Sequence, residues 1–227
     1  MYRLIDTHAH LEEITDLEQT IAEARSAGVI AIIAVGSDLE SNQRVLALAR
    51  VYKDFIFPAL GLHPGNIKDA DIKRNLEFIE FHIHEAVAIG EIGLDYARNP
   101  QTKEIQKELL IYELSLARET GLPVNIHCRE AHQDMMDILR QEMSPDLKGS
   151  VHGFSGDRAA LKDWLDVGFY ISIGGRRGVP GEISALPEVI VDIPLNRLLT
   201  ESEGANGPAG IVSVAEKLAS IRGITVE

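Results

Sequence analysis

Asp6-Thr7-His8-Ala9-His10-Leu11 follows a short apolar run from Tyr2 to Ile5. Side chains alternate across a strand, so His8 and His10, two residues apart, leave the same face and can chelate one ion. A metal site is the first hypothesis, with two surface imidazoles as the other reading. The remaining ligands have to come from elsewhere in the chain.

The chain carries a control for this reading. His82 and His84 form a second His-x-His, but Leu76, Ile79, Phe81 and Ile83 around them fall near helical spacing. On a helix, residues two apart point about 200° apart and cannot share an ion. His82 and His84 are read as an ordinary helix surface.

Working outward, short β-branched or apolar runs alternate with longer amphipathic stretches along the whole sequence. Strands are expected at 3–6, 30–35, 56–61, 86–90, 124–127, 149–152, 170–173 and 198–201. Helical patterns fill 16–27, 40–51, 103–120, 131–141, 159–166 and 209–221. Gly28 and Gly121-Leu122-Pro123 supply helix stops. Eight strands, each followed by a helix or helix-like segment, is the pattern of a TIM (β/α)8 barrel, for which about 250 residues is typical. At 227 residues, this α/β chain is expected to be a single-domain barrel over 1–227, trimmed at its C-terminus. A doubly wound open sheet fits the same alternation.

Composition sets limits on function. The chain is 45% hydrophobic and 25% charged, as in a globular protein, and its longest apolar run, Val29 to Val35, is too short to span a bilayer. No membrane association is expected, and the sequence points to no stable protein partner. The single cysteine, Cys128, excludes an internal disulfide, and with no signal-peptide pattern at the N-terminus a cytoplasmic location is expected. A net charge of −13 argues against a broad nucleic-acid-coating surface, so any such substrate would be gripped locally.

In a barrel the active site lies at the C-terminal strand ends. Five of the eight histidines fall there: His8 and His10, then His63, His127 and His152. Glu91 follows the fourth strand, and Glu201-Ser202-Glu203 the eighth. This donor set suits hydrolysis with one or two divalent ions. A carboxylate in the middle of the ring can bridge a pair, which lowers the pKa of a shared water. Glu91 is the natural bridge, with His8, His10 and Glu203 on one ion and His127 and His152 on the other. Zinc, manganese, magnesium or a related ion is expected.

These residues carry a resemblance. Asp6–Leu11, Gly61–Pro64, Gly90–Tyr96, Ile126–Arg129 and His152–Gly156, in that order, resemble the motifs of the TatD family of metal-dependent deoxyribonucleases, within the amidohydrolase-like barrels. The resemblance implies a TIM barrel, a divalent metal site and phosphodiester hydrolysis, often as a nuclease acting from the 3′ end on DNA. It places His8, His10, Glu91, His127 and His152 as metal ligands and His63 near the substrate's phosphate. Arg129 would be a further phosphate partner or a rim salt bridge.

The chain departs from the family at the eighth strand. The family's Glu-Thr-Asp is Glu201-Ser202-Glu203 here, so the aspartate that binds metal and serves as general base becomes Glu203, one methylene longer. The following loop is shorter than usual, and the chain stops before the helix with which family members usually close. After strand seven, Arg176 and Arg177 stand between glycines and are candidates for phosphate binding, against the reading of a solvated loop. The expected mechanism is attack by a bridged water on phosphorus held by the metals, His63 and the arginines, with Glu203 accepting the proton. Two alternatives stay open: hydrolysis of a small phosphoester, amide or lactone, and a weakened metal-binding barrel that acts as an interaction protein.

Overall fold

A computed structural model of the chain describes residues 2–67, 71–142, 147–175, 182–203 and 207–226. Strands β1 (Leu4–Ala9), β2 (Val29–Val35), β3 (Ile56–Leu60), β4 (Ala88–Asp95), β5 (Val124–Arg129), β6 (Gly149–Val151), β7 (Tyr170–Gly174) and β8 (Leu198–Glu201) alternate with helices. The helices are α1 (Leu17–Ala27), α2 (Leu39–Val51), α3 (Ile72–His82), α4 (Lys103–Thr120), α5 (His132–Glu142), α6 (Arg158–Asp166), α7 (Pro187–Ile190) and α8 (Ile211–Arg222). The sheet runs in order from β1 to β8 with every ladder parallel, the arrangement of a TIM barrel and not of a doubly wound sheet.

Local chemistry explains the element ends. Asp16, Asp38, Asp71 and Asp157 cap α1, α2, α3 and α6, each accepting a backbone N–H from the first turn. Gly28 and Gly121 end α1 and α4 in the left-handed conformation, as the sequence predicts. The largest apolar cluster packs Ile92 and Ile126 of the sheet against Leu110, Leu114, Met135, Leu139 and Trp164 of the helix layer. A second joins Val29 and Ile32 of β2 to Ile21, Ala24 and Val45.

Three strands run at least two residues further than the sequence suggests. β1 continues to Ala9 where an end at 6 is expected, β4 to Asp95 where an end at 90 is expected, and β5 to Arg129 where an end at 127 is expected. Polar residues look like strand ends, but here they point into the upper barrel. The β4–β5 ladder carries on to Asp95↔Arg129 after a register shift between Ile89 and Ile92. The short α7 is also absent from the sequence reading.

Among the described residues the ladder is not continued from β8 to β1. Instead Thr7 Oγ1 donates to Thr200 O at 2.9 Å, Ser202 donates to Asp6 through both N–H and hydroxyl, and Glu203 N–H donates to His8 O at 3.1 Å. No described helix is long and apolar enough to cross a membrane.

Candidate metal centre

The strand ends deliver five imidazoles to one carboxylate. Glu91 is 2% exposed, and its two oxygens face different neighbours. Oε2 lies 3.6 Å from His8 Nε2 and 3.3 Å from His10 Nε2. Oε1 lies 3.2 Å from His63 Nε2, 2.9 Å from His127 Nδ1 and 2.8 Å from His152 Nε2. The backbone permits this crowding because Gly61 packs against the Gly90–Glu91 peptide, where a Cβ would come within 2.7 Å of Gly90 C.

Partners on the far side of each ring assign its tautomer. His8 Nδ1 meets Asn125 Oδ1 at 2.8 Å, so it carries the proton and leaves the Nε2 lone pair for the site. His10 Nδ1 meets Glu12 Oε1 at 3.1 Å, and His127 Nε2 meets Asp95 Oδ2 at 3.2 Å, with the same result. His152 Nδ1 faces two carboxylates, Glu203 Oε1 at 3.3 Å and Glu201 Oε1 at 3.6 Å. Carboxylate or amide oxygens behind metal-binding imidazoles are the usual outer support.

Four lone pairs therefore meet in two pairs on either side of Glu91. His8 Nε2 and His10 Nε2 are 3.3 Å apart, and His127 Nδ1 and His152 Nε2 are 3.0 Å apart. Facing lone pairs repel unless a cation stands between them. The edge of a tetrahedral zinc site with Zn–N near 2.05 Å is about 3.3 Å, so the donor set fits a divalent ion on each side.

His63 differs from the other four. It lies within 4.8 Å of Glu91 and His127 donor atoms, but its Nδ1 accepts the Gly65 N–H at 2.8 Å, which places the proton on Nε2. A ring with Nε2–H toward the site is a hydrogen-bond donor and not a ligand.

Charge follows the same layout. Burial alone would raise Glu91, but His63 and His152 nearby and bonds from His10 and His127 hold it well below the usual carboxylate range. Burial and the neighbouring His152 keep His8 well below the usual imidazole value, in the neutral form a ligand needs. Burial opposes protonation of His10, yet its bonds to Glu12 and Glu91 push it up to about 10, so an incoming cation has to displace a proton from this ring to gain its lone pair. Burial likewise works against ionisation of Glu203, but His152 draws it down to about 2.

A cleft of about 570 Å³ opens over the centre and is lined by His10, His63, Glu91, His127, His152, Glu203 and Arg129. Glu203 is thus in the site, with its carboxylate nearest His152. Its φ of +56° is a left-handed conformation uncommon for glutamate and commoner for aspartate. Arg129 reaches the rim, whereas Arg176 and Arg177 lie outside the described residues. His82 and His84 are far from the centre in role: His82 ends α3 and pairs with Glu85 at 2.8 Å, and His84 is exposed.

Sequence reasoning missed the supports Glu12, Asn125, Asp95 and Glu201, as well as Arg44 and Arg98 in the cleft wall. Asn125 and Glu201 each stand two residues before a named site residue, and Glu12 two after one. Strand periodicity was the available signal for Asn125. For Arg44 and Arg98 there was none.

Comparison with known proteins agrees with this geometry. The family model described as TatD related DNase matches residues 5–227. The chain belongs to the TatD family. It is 36% identical to an uncharacterized metal-dependent hydrolase, YabD, of Bacillus subtilis (strain 168), over 99% of this chain and 93% of that one. It is 37% identical to the 3′-5′ ssDNA/RNA exonuclease TatD of Edwardsiella piscicida, over 83% and 73%. The crystal structure of YjjV, a TatD homologue from Escherichia coli K12, superposes with a TM-score of 0.86 at 32% identity, covering 99% and 92%. This TatD-family chain is accordingly a metal-dependent hydrolase.

Proposed function

We propose that this TatD-family hydrolase cleaves phosphodiester bonds with two divalent ions, acting on single-stranded DNA from the 3′ end. The observation that carries the reading is the divided carboxylate of Glu91, with a pair of imidazole lone pairs beside each oxygen. When bound, two such ions acidify a water and polarise the phosphoryl group. His8, His10, His127, His152 and Glu91 would hold them.

The protein's own groups do the rest. His63 presents Nε2–H to a non-bridging phosphate oxygen, while Gly65 holds the ring in that tautomer. Arg129 offers a fork to the same phosphate or the next. Ionised Glu203, whose carboxylate faces His152, would accept the proton of the attacking water.

One observation favours a smaller substrate. Among the described residues the cleft is lined by six carboxylates, Glu12, Glu13, Asp38, Glu40, Glu91 and Glu203, against three guanidiniums, Arg44, Arg98 and Arg129. Such a wall suits a small phosphoester or a strand end better than a long polyanion.

Hydrolysis of bis(p-nitrophenyl) phosphate and of end-labelled single-stranded DNA, with Mg²⁺, Mn²⁺ or Zn²⁺, tests these readings. Cleavage of both, lost with chelator and in Glu91→Ala, is the expected result. Cleavage of the small ester alone selects the second reading. If wild type is inactive and Glu203→Asp gains activity, the eighth strand has lost its working base and the nuclease reading fails.

A further inference from the structure

Strand β3 stops at Leu60, and its ladder to β4 is two residues long, Ala59↔Ala88 and Leu60↔Ile89. The next residues, Gly61-Leu62-His63, leave the sheet and carry His63 to Glu91. All three are buried, so their backbone groups need partners outside the ladder. Asn42 of α2 serves Gly61 twice, accepting its N–H at 3.2 Å and donating to its carbonyl at 2.8 Å. His63 N–H donates to Ser37 O at 2.9 Å.

Leu62 N–H is met from the other helix. It donates to Glu113 Oε1 of α4 at 2.9 Å. Glu113 is fully buried, and no described group bonds its Oε2. Burial pushes its carboxyl well above the usual range, and no neighbouring charge contributes. A neutral acid in this place has only one contact to offer, the Leu62 peptide. Seven residues earlier on the same face, Gln106 holds β4 in a comparable way, accepting Asp95 N–H at 2.8 Å and donating to Asp95 O at 3.1 Å.

Pairing the buried Leu62 N–H gives Glu113 a structural role, and because that peptide directly precedes His63 the role bears on the site as well. We propose that Glu113 is a positioning residue for His63, fixing the Leu62 peptide from the helix layer and thereby the direction in which the imidazole meets Glu91 and the phosphate. The phosphate half of this statement rests on the phosphodiesterase reading.

The test compares Glu113→Gln, which keeps the acceptor, with Glu113→Met, which removes it. In ¹⁵N-histidine NMR, Met shifts the His63 ring signals and leaves those of His82, His84 and His132 in place, while Gln leaves all unchanged. On bis(p-nitrophenyl) phosphate, Met lowers kcat by roughly 10- to 100-fold with KM little changed, and costs nothing further in a His63→Ala background. An unmoved His63 signal, or an equal loss in that background, overturns the proposal. If wild type cleaves no phosphodiester, the NMR comparison decides it without reference to activity. Should the Met variant not fold, Glu113→Asp, one methylene too short for the bond, must shift His63 in the same way; an unshifted ring again overturns the proposal.

Discussion

Glu91 and Glu113 are hidden to the same degree, 2% and 0% exposed, yet their carboxyl groups are driven in opposite directions. Burial opposes ionisation of both. Around Glu91 four imidazoles, those of His63, His152, His10 and His127, reverse that penalty, and the result is a charged hub. Around Glu113 a single peptide N–H is too weak to do so, and the result is a neutral strut. The difference teaches that a buried acid takes its role from its neighbours, because depth alone would make the two residues alike.

The strongest way to break the comparison is to remove the hub. Glu91→Ala is expected to lower hydrolysis by roughly 10³-fold or more, the scale of losing several kcal/mol of metal-derived stabilisation. Its bound metal, measured by elemental analysis, should fall as well. Full metal content in that variant would contradict a bridging role.

Next come the two imidazoles beside Glu91 Oε2. His8→Ala or His10→Ala is expected to reduce metal content and activity sharply, whereas His82→Ala and His84→Ala change neither. A smaller loss is expected one step further out. Asp95→Ala, which frees His127 Nε2, should weaken metal affinity by about 10- to 100-fold with the fold intact by circular dichroism.

The smallest effect belongs to the strut and concerns stability. Because its folded-state pKa is raised, the folded protein keeps a proton on Glu113 that the unfolded chain releases above about pH 4.3. Stability therefore falls as pH rises from that value toward the folded pKa. Glu113→Gln removes this dependence. Its melting temperature should exceed that of wild type at pH 8, and the gap should close near pH 4. A gap that does not vary with pH would show that Glu113 is not a neutral acid in the fold.

The two glutamates also mark what the sequence makes legible. Glu91 stands in Gly90-Glu91-Ile92-Gly93, at the end of an apolar run and among other strand-end histidines, so its place in a barrel rim can be read in one dimension. The same holds for His8, His10, His63, His127 and His152. Glu113 lies in the middle of a helix among charged residues of the same type, and nothing local separates it from Glu108 or Glu119. Only packing of α4 onto β3 turns it inward. Arg44 and Arg98 were hidden for the same reason, since which residues of a loop or helix look over the cleft depends on how that element is tilted. Asp6, His8 and Glu91 resemble strand ends in the sequence, although β1 and β4 continue past them.

The seam between β8 and β1 has a consequence for motion. Seven interfaces of the barrel are zipped by ladder bonds, while this one is buttoned by Asp6 with Ser202, Thr7 with Thr200, and Glu203 with His8. Fewer backbone bonds must break there for a local opening, so amide hydrogens of β8 should exchange before those of β4 and β5. Such an opening would draw Glu203 away from His8 while leaving Glu91 on β4 and His127 on β5 in place, so this seam runs directly through the carboxylate proposed as the base.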